Sequence, residues 1–185
     1  MSDVDLLESV LDKDARLIAC VTPEQLGGPT QCPDYDVKTL VLHMTGWARA
    51  FAASATERES REDPGAYDSA DPATDFRAAA DEIVGAWRER GTDRSVRFMS
   101  SELPGDGIVA MTLMEYVTHG LDLALATDQP VPFSDEELET TLARAQVSLP
   151  DQYRGEGKPF ADRVEVPDDA PAAARLLGFM GRQPA

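Results

Sequence analysis

Two residues that could hold a metal ion lie one helical turn apart in an apolar part of the sequence. Glu115 and His119 are four positions apart within residues 108–126, where apolar residues circle the predicted helix. Side chains at this spacing lean toward one point, and a carboxylate with an imidazole suits Zn²⁺, Ni²⁺, Mn²⁺ or Fe²⁺. The pair therefore predicts either a metal site or an internal hydrogen bond.

The same helix carries two further polar residues on the same face. Thr112 and Asp122 are spaced three positions before Glu115 and three positions after His119. Residues 108–126 contain no Lys or Arg, so a buried carboxylate here needs a cation from another helix or a metal ion. We expect Asp122 and Thr112 to lie next to the metal ligands, on the side away from the metal, and to orient them. The alternatives are that Asp122 caps a nearby group and that Thr112 bonds back to its own helix.

A third ligand should come from a facing helix, and His43 is the only other histidine in the chain. It lies near the middle of the second predicted helix, at the flank of an apolar stripe between Leu40 and Trp47. A neutral imidazole at that position can point into the bundle and bind a metal. The plainer interpretation is a hydrogen-bonded histidine at the boundary of the core.

The composition excludes several classes of partner. The 185 residues include 17 Lys and Arg against 34 Asp and Glu, for a formal net charge of -17. Such a surface opposes binding to nucleic acids and to anionic membranes. Cys20 and Cys32 match no zinc motif, and a single disulfide between them could not hold together a domain of this size. With an acidic N-terminus and no long apolar run, the sequence predicts a cytoplasmic protein.

Apolar spacing predicts an all-α fold. The expected helices lie at about 3–19, 37–55, 76–90, 108–126, 134–149 and within 169–181. Asp36, Asp75 and Ser134 are predicted to cap the second, third and fifth helices. The pattern indicates one domain over 1–185, an up-and-down four-helix bundle with extra short helices and a short C-terminal extension.

The connections between these helices are predicted to be irregular. Residues 56–72 are charged, contain two prolines and read as a long surface loop, which could equally be a lid. Residues 96–98 look extended but have no evident partner strand, and residues 104–107 have the composition of a turn.

Three segments resemble a known family. Residues 30–43 (TQCPDYDVKTLVLH) and 115–124 (EYVTHGLDLA) resemble the two signatures of the mycothiol-dependent maleylpyruvate isomerase N-terminal family. Residues 177–184 (LGFMGRQP) resemble the closing segment of its stand-alone branch. The resemblance implies a DinB/YfiT-like four-helix bundle with a divalent metal held by His43, Glu115 and His119 and an open fourth position. Many relatives are transferases or isomerases in which the metal activates a low-molecular-weight thiol.

The sequence also departs from the family pattern. Tyr35 and Leu121 stand where Trp is common, and Asp128 stands where Gly is usual. These differences concern the shape of the pocket rather than the ligands. The isomerase itself has an additional C-terminal domain for which this chain is too short, so the resemblance does not extend to maleylpyruvate isomerisation.

The leading functional hypothesis is a metal-dependent enzyme, with Zn²⁺ as the first choice of metal and Ni²⁺ as the second, that uses a thiol such as mycothiol on a small-molecule substrate. Tyr35, Thr112 and Asp122 are candidates for a general base, and none is assigned. One alternative is a non-catalytic metal- or ligand-binding bundle, and another is a metal-free scaffold. A homodimer is a common outcome for bundles with apolar flanks.

Overall fold

The computed structural model describes residues 2–32, 35–60, 63–158 and 160–184, so Pro33 and Asp34 of the first signature lie outside the described residues. Within those ranges the chain is mainly helical, as predicted. The elements in order are α1 (Asp3–Ala19), α2 (Val37–Ala55), α3 (Pro72–Arg90), β1 (Ser95–Phe98), β2 (Ser101–Pro104), α4 (Gly105–Ala126), α5 (Asp135–Ser148) and α6 (Ala172–Phe179).

The first four helices form a four-helix bundle, as the sequence predicts, but the consecutive helices α1 and α2 are not adjacent as a simple up-and-down order requires. α1 packs against α3 and α4, and α2 packs against the same two helices. α1 and α2 therefore lie across the bundle from each other, and the long segment that joins them spans this distance. α5 covers α4, and α6 packs against α5 and α4. The metal-ligand candidates on α2 and α4 are thus carried by neighbouring helices.

Helix starts follow local capping chemistry. The Asp36 side chain accepts the backbone N–H of Thr39 at 2.8 Å, and Ser134 forms a capping box with Glu137, so both predicted caps are confirmed. The predicted cap of α3 is wrong. α3 begins at Pro72 and is capped by Asp71, because proline favours the first helical position.

Asp75, the residue predicted to cap α3, has a different role. Its carboxylate accepts hydrogen bonds from the hydroxyls of Tyr67 and Ser69, both at 2.5 Å. These bonds tie the end of the 56–72 segment to α3. Pro64 of that segment is buried and packs against α2 at Gly46. A Cβ atom at Gly46 would lie 2.3 Å from the Pro64 carbonyl oxygen.

α4 is the central helix of the bundle. It is long and apolar enough to cross a membrane, but 83% of its most apolar window is buried by the rest of the protein. Two of its polar residues are buried with it, since Thr112 and Asp122 are both 0% exposed. Burial on this scale is typical of the core helix of a bundle.

A β-hairpin precedes α4, and here the sequence prediction is wrong. Val96 of β1 pairs with Leu103 of β2, so residues 96–98 do have a partner strand. Residues 104–107 are not a turn, because the helix begins at Gly105, whose N–H donates to the Arg94 carbonyl oxygen at 2.7 Å. A side chain at Gly105 would lie 2.6 Å from the carbonyl oxygen of Thr92, so glycine is required by packing.

Candidate metal centre

The structure brings together the three predicted ligands. Nε2 of His43 lies 2.9 Å from Oε1 of Glu115, and Nε2 of His119 lies 3.5 Å from the same oxygen. The two imidazole rings are 4.9 Å apart between centroids. The packing of α2 against α4 places His43 opposite the turn that holds the other two residues.

The donor set fits a divalent transition metal. The ligating atoms of His43, Glu115 and His119 all lie within 4.8 Å of one another. A tetrahedral ion bound at about 2.1 Å keeps its donor atoms roughly 3.4 Å apart, and the separations to Glu115 bracket that value. Two neutral nitrogens and one carboxylate oxygen are the ligand types that zinc and its neighbours accept.

Glu115 is the anionic member of the set. Burial alone would raise its pKa, but the imidazole charge of His119 and the hydrogen bond and charge of His43 outweigh that effect. The pKa of Glu115 is therefore held below its ordinary value. Glu115 is ionised at neutral pH and offers a negative oxygen to a cation.

Asp122 lies behind His119. Its Oδ2 atom is 3.1 Å from Nδ1 of His119, on the side of the ring that faces away from Glu115. The counter-charge that α4 lacks comes from Arg182, whose Nη2 donates to the same oxygen at 3.2 Å. Thr112 does not join this group. Its hydroxyl donates to the Ile108 carbonyl oxygen at 2.7 Å, which is the alternative that the sequence left open.

Tyr35 supports the other imidazole. Its hydroxyl lies 3.0 Å from Nδ1 of His43, and the two rings are 4.8 Å apart between centroids. Tyr35 is one of the positions where the sequence departs from the family pattern. The departure provides a phenolic hydroxyl beside the proposed ligand.

A cavity of about 680 Å³ opens beside the three ligands. Its bundle side is apolar, and an aromatic wall runs from the ligands into the hairpin. Trp47 lies 6.2 Å from His43 between ring centroids, and Phe51 stacks on Phe98 at 4.9 Å. Two methionines of α4, Met111 and Met114, complete this side.

The other side of the cavity is formed by the C-terminal segment. Lys158, Phe160, Met180, Arg182 and Gln183 line it. Sequence reasoning did not assign these residues to the site, and the arginine in the LGFMGRQP segment was the only available signal. None of the described residues of 56–72 lines this cavity.

Comparison with known proteins places the chain in a family. The mycothiol maleylpyruvate isomerase N-terminal domain matches residues 7–124. The chain belongs to this family. The matched range contains all three proposed ligands and covers α2, α3 and most of α1 and α4. The cavity wall after α4 comes from outside the matched range.

Two relatives cover nearly the whole chain. They are the uncharacterized proteins MT0763 and Rv0738 of Mycobacterium tuberculosis, from strains CDC 1551 / Oshkosh and ATCC 25618 / H37Rv respectively. Each is 34% identical over 176 residues, covering 92% of this chain and 92% of the relative. No solved structure matches the chain.

One departure from the family pattern is explained by backbone geometry. Asp128 follows α4 with a φ of +53°, in the left-handed region that glycine adopts most readily. Aspartate is one of the few other residues that tolerate this conformation. Asp128 therefore occupies, at the position where the family pattern usually has glycine, a conformation that glycine favours.

Proposed function

We propose that this protein is a divalent-metal enzyme that activates a low-molecular-weight thiol, such as mycothiol, for transfer to a small-molecule substrate. His43, Glu115 and His119 would hold the metal, with Zn²⁺ as the first candidate and Ni²⁺ as the second. The observation that carries the proposal is that these three side chains meet at a cavity of about 680 Å³. A substrate in the cavity would lie next to the metal.

The metal would supply Lewis acidity, which lowers the pKa of a thiol that binds beside it. The chain supplies the rest. Tyr35 and Asp122 fix the outer nitrogens of the two imidazoles, at 3.0 and 3.1 Å, so that their inner nitrogens face Glu115. Such partners orient ligands and strengthen their hold on a metal.

The two sides of the cavity differ in polarity, so that one suits the apolar part of a substrate and the other a polar thiol. Trp47, Phe51 and Phe98 form an aromatic wall that would exclude water and pack against the apolar part of a substrate. Lys158 on the opposite side places a positive charge beside the cavity, whereas the charge of Arg182 is paired with Asp122. A polar or anionic thiol cofactor would bind near Lys158 on that side.

The test compares metal-loaded protein, protein stripped with a chelator, and the double variant His43→Ala/His119→Ala. Mycothiol and a fluorogenic alkylating acceptor are supplied, and loss of free thiol is followed. We expect the loaded protein to consume thiol at least about ten times faster than the other two samples. Equal rates in all three samples would contradict the proposal.

The alternative function is a non-catalytic metal- or ligand-binding bundle. A purely structural or storage site is expected to close all four positions with protein ligands, whereas catalytic sites keep one open. Among the described residues the group contains three ligating side chains, and it adjoins a cavity. This arrangement supports the enzyme over the binding protein.

A further inference from the structure

The C-terminal segment reaches the proposed ligands through one residue. Arg182 donates from Nε and Nη2 to Oδ2 of Asp122, at 3.3 and 3.2 Å. The same oxygen lies 3.1 Å from Nδ1 of His119. The Asp122 side chain is 0% exposed and the Arg182 side chain 12%. One buried carboxylate oxygen is therefore shared between an arginine and a proposed metal ligand.

This contact fixes the role of one nitrogen of His119. The guanidinium of Arg182 is charged at all ordinary pH values and only donates. A carboxylate paired with it accepts, so Nδ1 of His119 must be the donor in the contact with Asp122. Nε2, which faces Glu115 at 3.5 Å, is then the nitrogen left to bind a metal. A metal bound by Nε2 requires the proton on Nδ1.

Arg182 is the partner that Asp122 requires. α4 contains no Lys or Arg, and Oδ1 of Asp122 has no hydrogen-bond partner within the described part of the chain. Without Arg182, Asp122 would be a buried carboxylate with a single donor, His119. Such a group can turn about its terminal torsion and release the imidazole.

The fold holds Arg182 in place by ending α6 at a fixed point. Gly181 adopts a φ of +79°, and the N–H of Arg182 donates to the Leu177 carbonyl oxygen at 2.9 Å, which closes a Schellman turn. Nη1 of Arg182 donates to the Met180 carbonyl oxygen at 2.9 Å. The backbone N–H and Nη1 of Arg182 are thus both bound within this turn, while its Nε and Nη2 donate to Asp122.

We propose that Arg182 is a positioning residue for the metal centre. Through Asp122 it holds the Nδ1–H group of His119, so that Nε2 is directed toward Glu115 and His43. The consequence for metal binding rests on the proposed function. The hydrogen bond from Nδ1 is a property of the protein without metal, so it can be tested separately.

The first measurement is the Nδ1–H proton of His119 by ¹H–¹⁵N NMR of metal-free protein. We expect wild type to show this proton protected from exchange with solvent, and Arg182→Gln to lose most of that protection. Arg175→Gln is the matched control, because Arg175 lies on α6 and pairs with Glu139 at the surface. Equal protection of this proton in folded Arg182→Gln would overturn the proposal.

The second measurement is metal affinity by competition with a chromophoric chelator, using Zn²⁺, together with the visible spectrum of Co²⁺-loaded protein. We expect Arg182→Gln to weaken Zn²⁺ binding by about 10- to 100-fold and to shift the Co²⁺ bands. Arg182→Lys keeps the charge and should lie between wild type and Arg182→Gln. It also serves as the variant to measure if Arg182→Gln does not fold.

The route through Asp122 is tested in an Asp122→Asn background. There, Arg182→Gln should weaken Zn²⁺ binding by less than about twofold, since the shared carboxylate is already gone. An equal loss in both backgrounds would show that Arg182 acts by another route and would overturn the proposal. If wild type binds no metal, the proposed function fails, and the ¹⁵N spectrum still decides the role of Arg182.

Discussion

The hydroxyl of Tyr35 lies 3.0 Å from Nδ1 of His43, on the side of the ring opposite to Glu115. The imidazole of His43 is therefore bracketed by a phenol at one nitrogen and a carboxylate at the other. Asp122 and Glu115 bracket His119 in the same manner, at 3.1 and 3.5 Å. Both proposed nitrogen ligands are thus fixed from behind, which is typical of metal-binding histidines.

Removing the phenol should weaken metal binding more than it weakens the fold. We expect Tyr35→Phe to reduce Zn²⁺ affinity by roughly tenfold and to cost about 1 kcal/mol in the free energy of unfolding. Tyr67→Phe is the matched control, because its hydroxyl bonds to Asp75 outside the cavity. Chelator competition and urea unfolding measure the two effects, and equal Zn²⁺ affinity in both variants would contradict the role assigned to Tyr35.

The buried carboxyl of Asp14 should make stability depend on pH. Asp14 is 0% exposed, and neither of its oxygens has a hydrogen-bond partner within the described residues. Burial raises its pKa well above the ordinary value, and the charge of Lys13 opposes this only in part. Because the unfolded chain loses the proton at lower pH than the folded protein, wild type loses stability as pH rises above the unfolded value.

Asp14→Asn removes this titration. We expect its free energy of unfolding to exceed that of wild type by at least about 1 kcal/mol near pH 8, and this difference to shrink toward about pH 4. Asp36→Asn should lower the free energy of unfolding, and this loss should grow as pH rises, since hydrogen bonds from Thr39 lower the pKa of Asp36 in the folded protein. Urea unfolding across this range measures both, and a gain that does not vary with pH would contradict the assignment.

Gly120 is required by the contact between α4 and α1. A Cβ atom at Gly120 would lie 2.2 Å from Oδ1 of Asp14 and 2.6 Å from the ring of Phe133. We expect Gly120→Ala to cost about 1–3 kcal/mol in thermal or urea unfolding. Gly85 on α3 has nothing within 4 Å of such an atom, so Gly85→Ala should stabilise by about 0.5–1 kcal/mol. Similar effects of the two substitutions would contradict this packing.

Tryptophan fluorescence should report occupation of the proposed site. Trp47 lies 6.2 Å from His43 between ring centroids, whereas Trp87 is buried beside Arg94. We expect Co²⁺ to quench the emission of wild type and of Trp87→Phe. Trp47→Phe should show weaker quenching than Trp87→Phe, because quenching by a metal ion falls steeply with distance. Quenching as strong in Trp47→Phe as in Trp87→Phe would place the ion elsewhere.

The parts of the fold that local chemistry dictates were predictable from the sequence. The capping box of Ser134 and Glu137 and the cap at Asp36 are signals contained within four residues. The cap of α3 was misassigned because Asp71 and Asp75 both precede apolar residues. Proline at position 72 is the signal that separates them.

Long-range pairings were not predictable in the same way. β2 has the sequence SELP, without the alternation that marks a strand, and it exists because β1 pairs with it. The predicted ligands could be found because two of them lie one turn apart on an apolar helix. Arg182 is 60 positions from Asp122, and no local spacing connects the two.

Metal content is the most direct test of the site formed by His43, Glu115 and His119. Protein purified without added metal is subjected to elemental analysis, beside the double variant His43→Ala/His119→Ala purified in parallel. We expect about one divalent transition-metal ion per wild-type chain and less than about a tenth of that in the variant. Wild-type protein without metal, together with a variant of unchanged stability, would contradict the metal centre and leave Glu115 and His119 as an internal hydrogen-bonded pair.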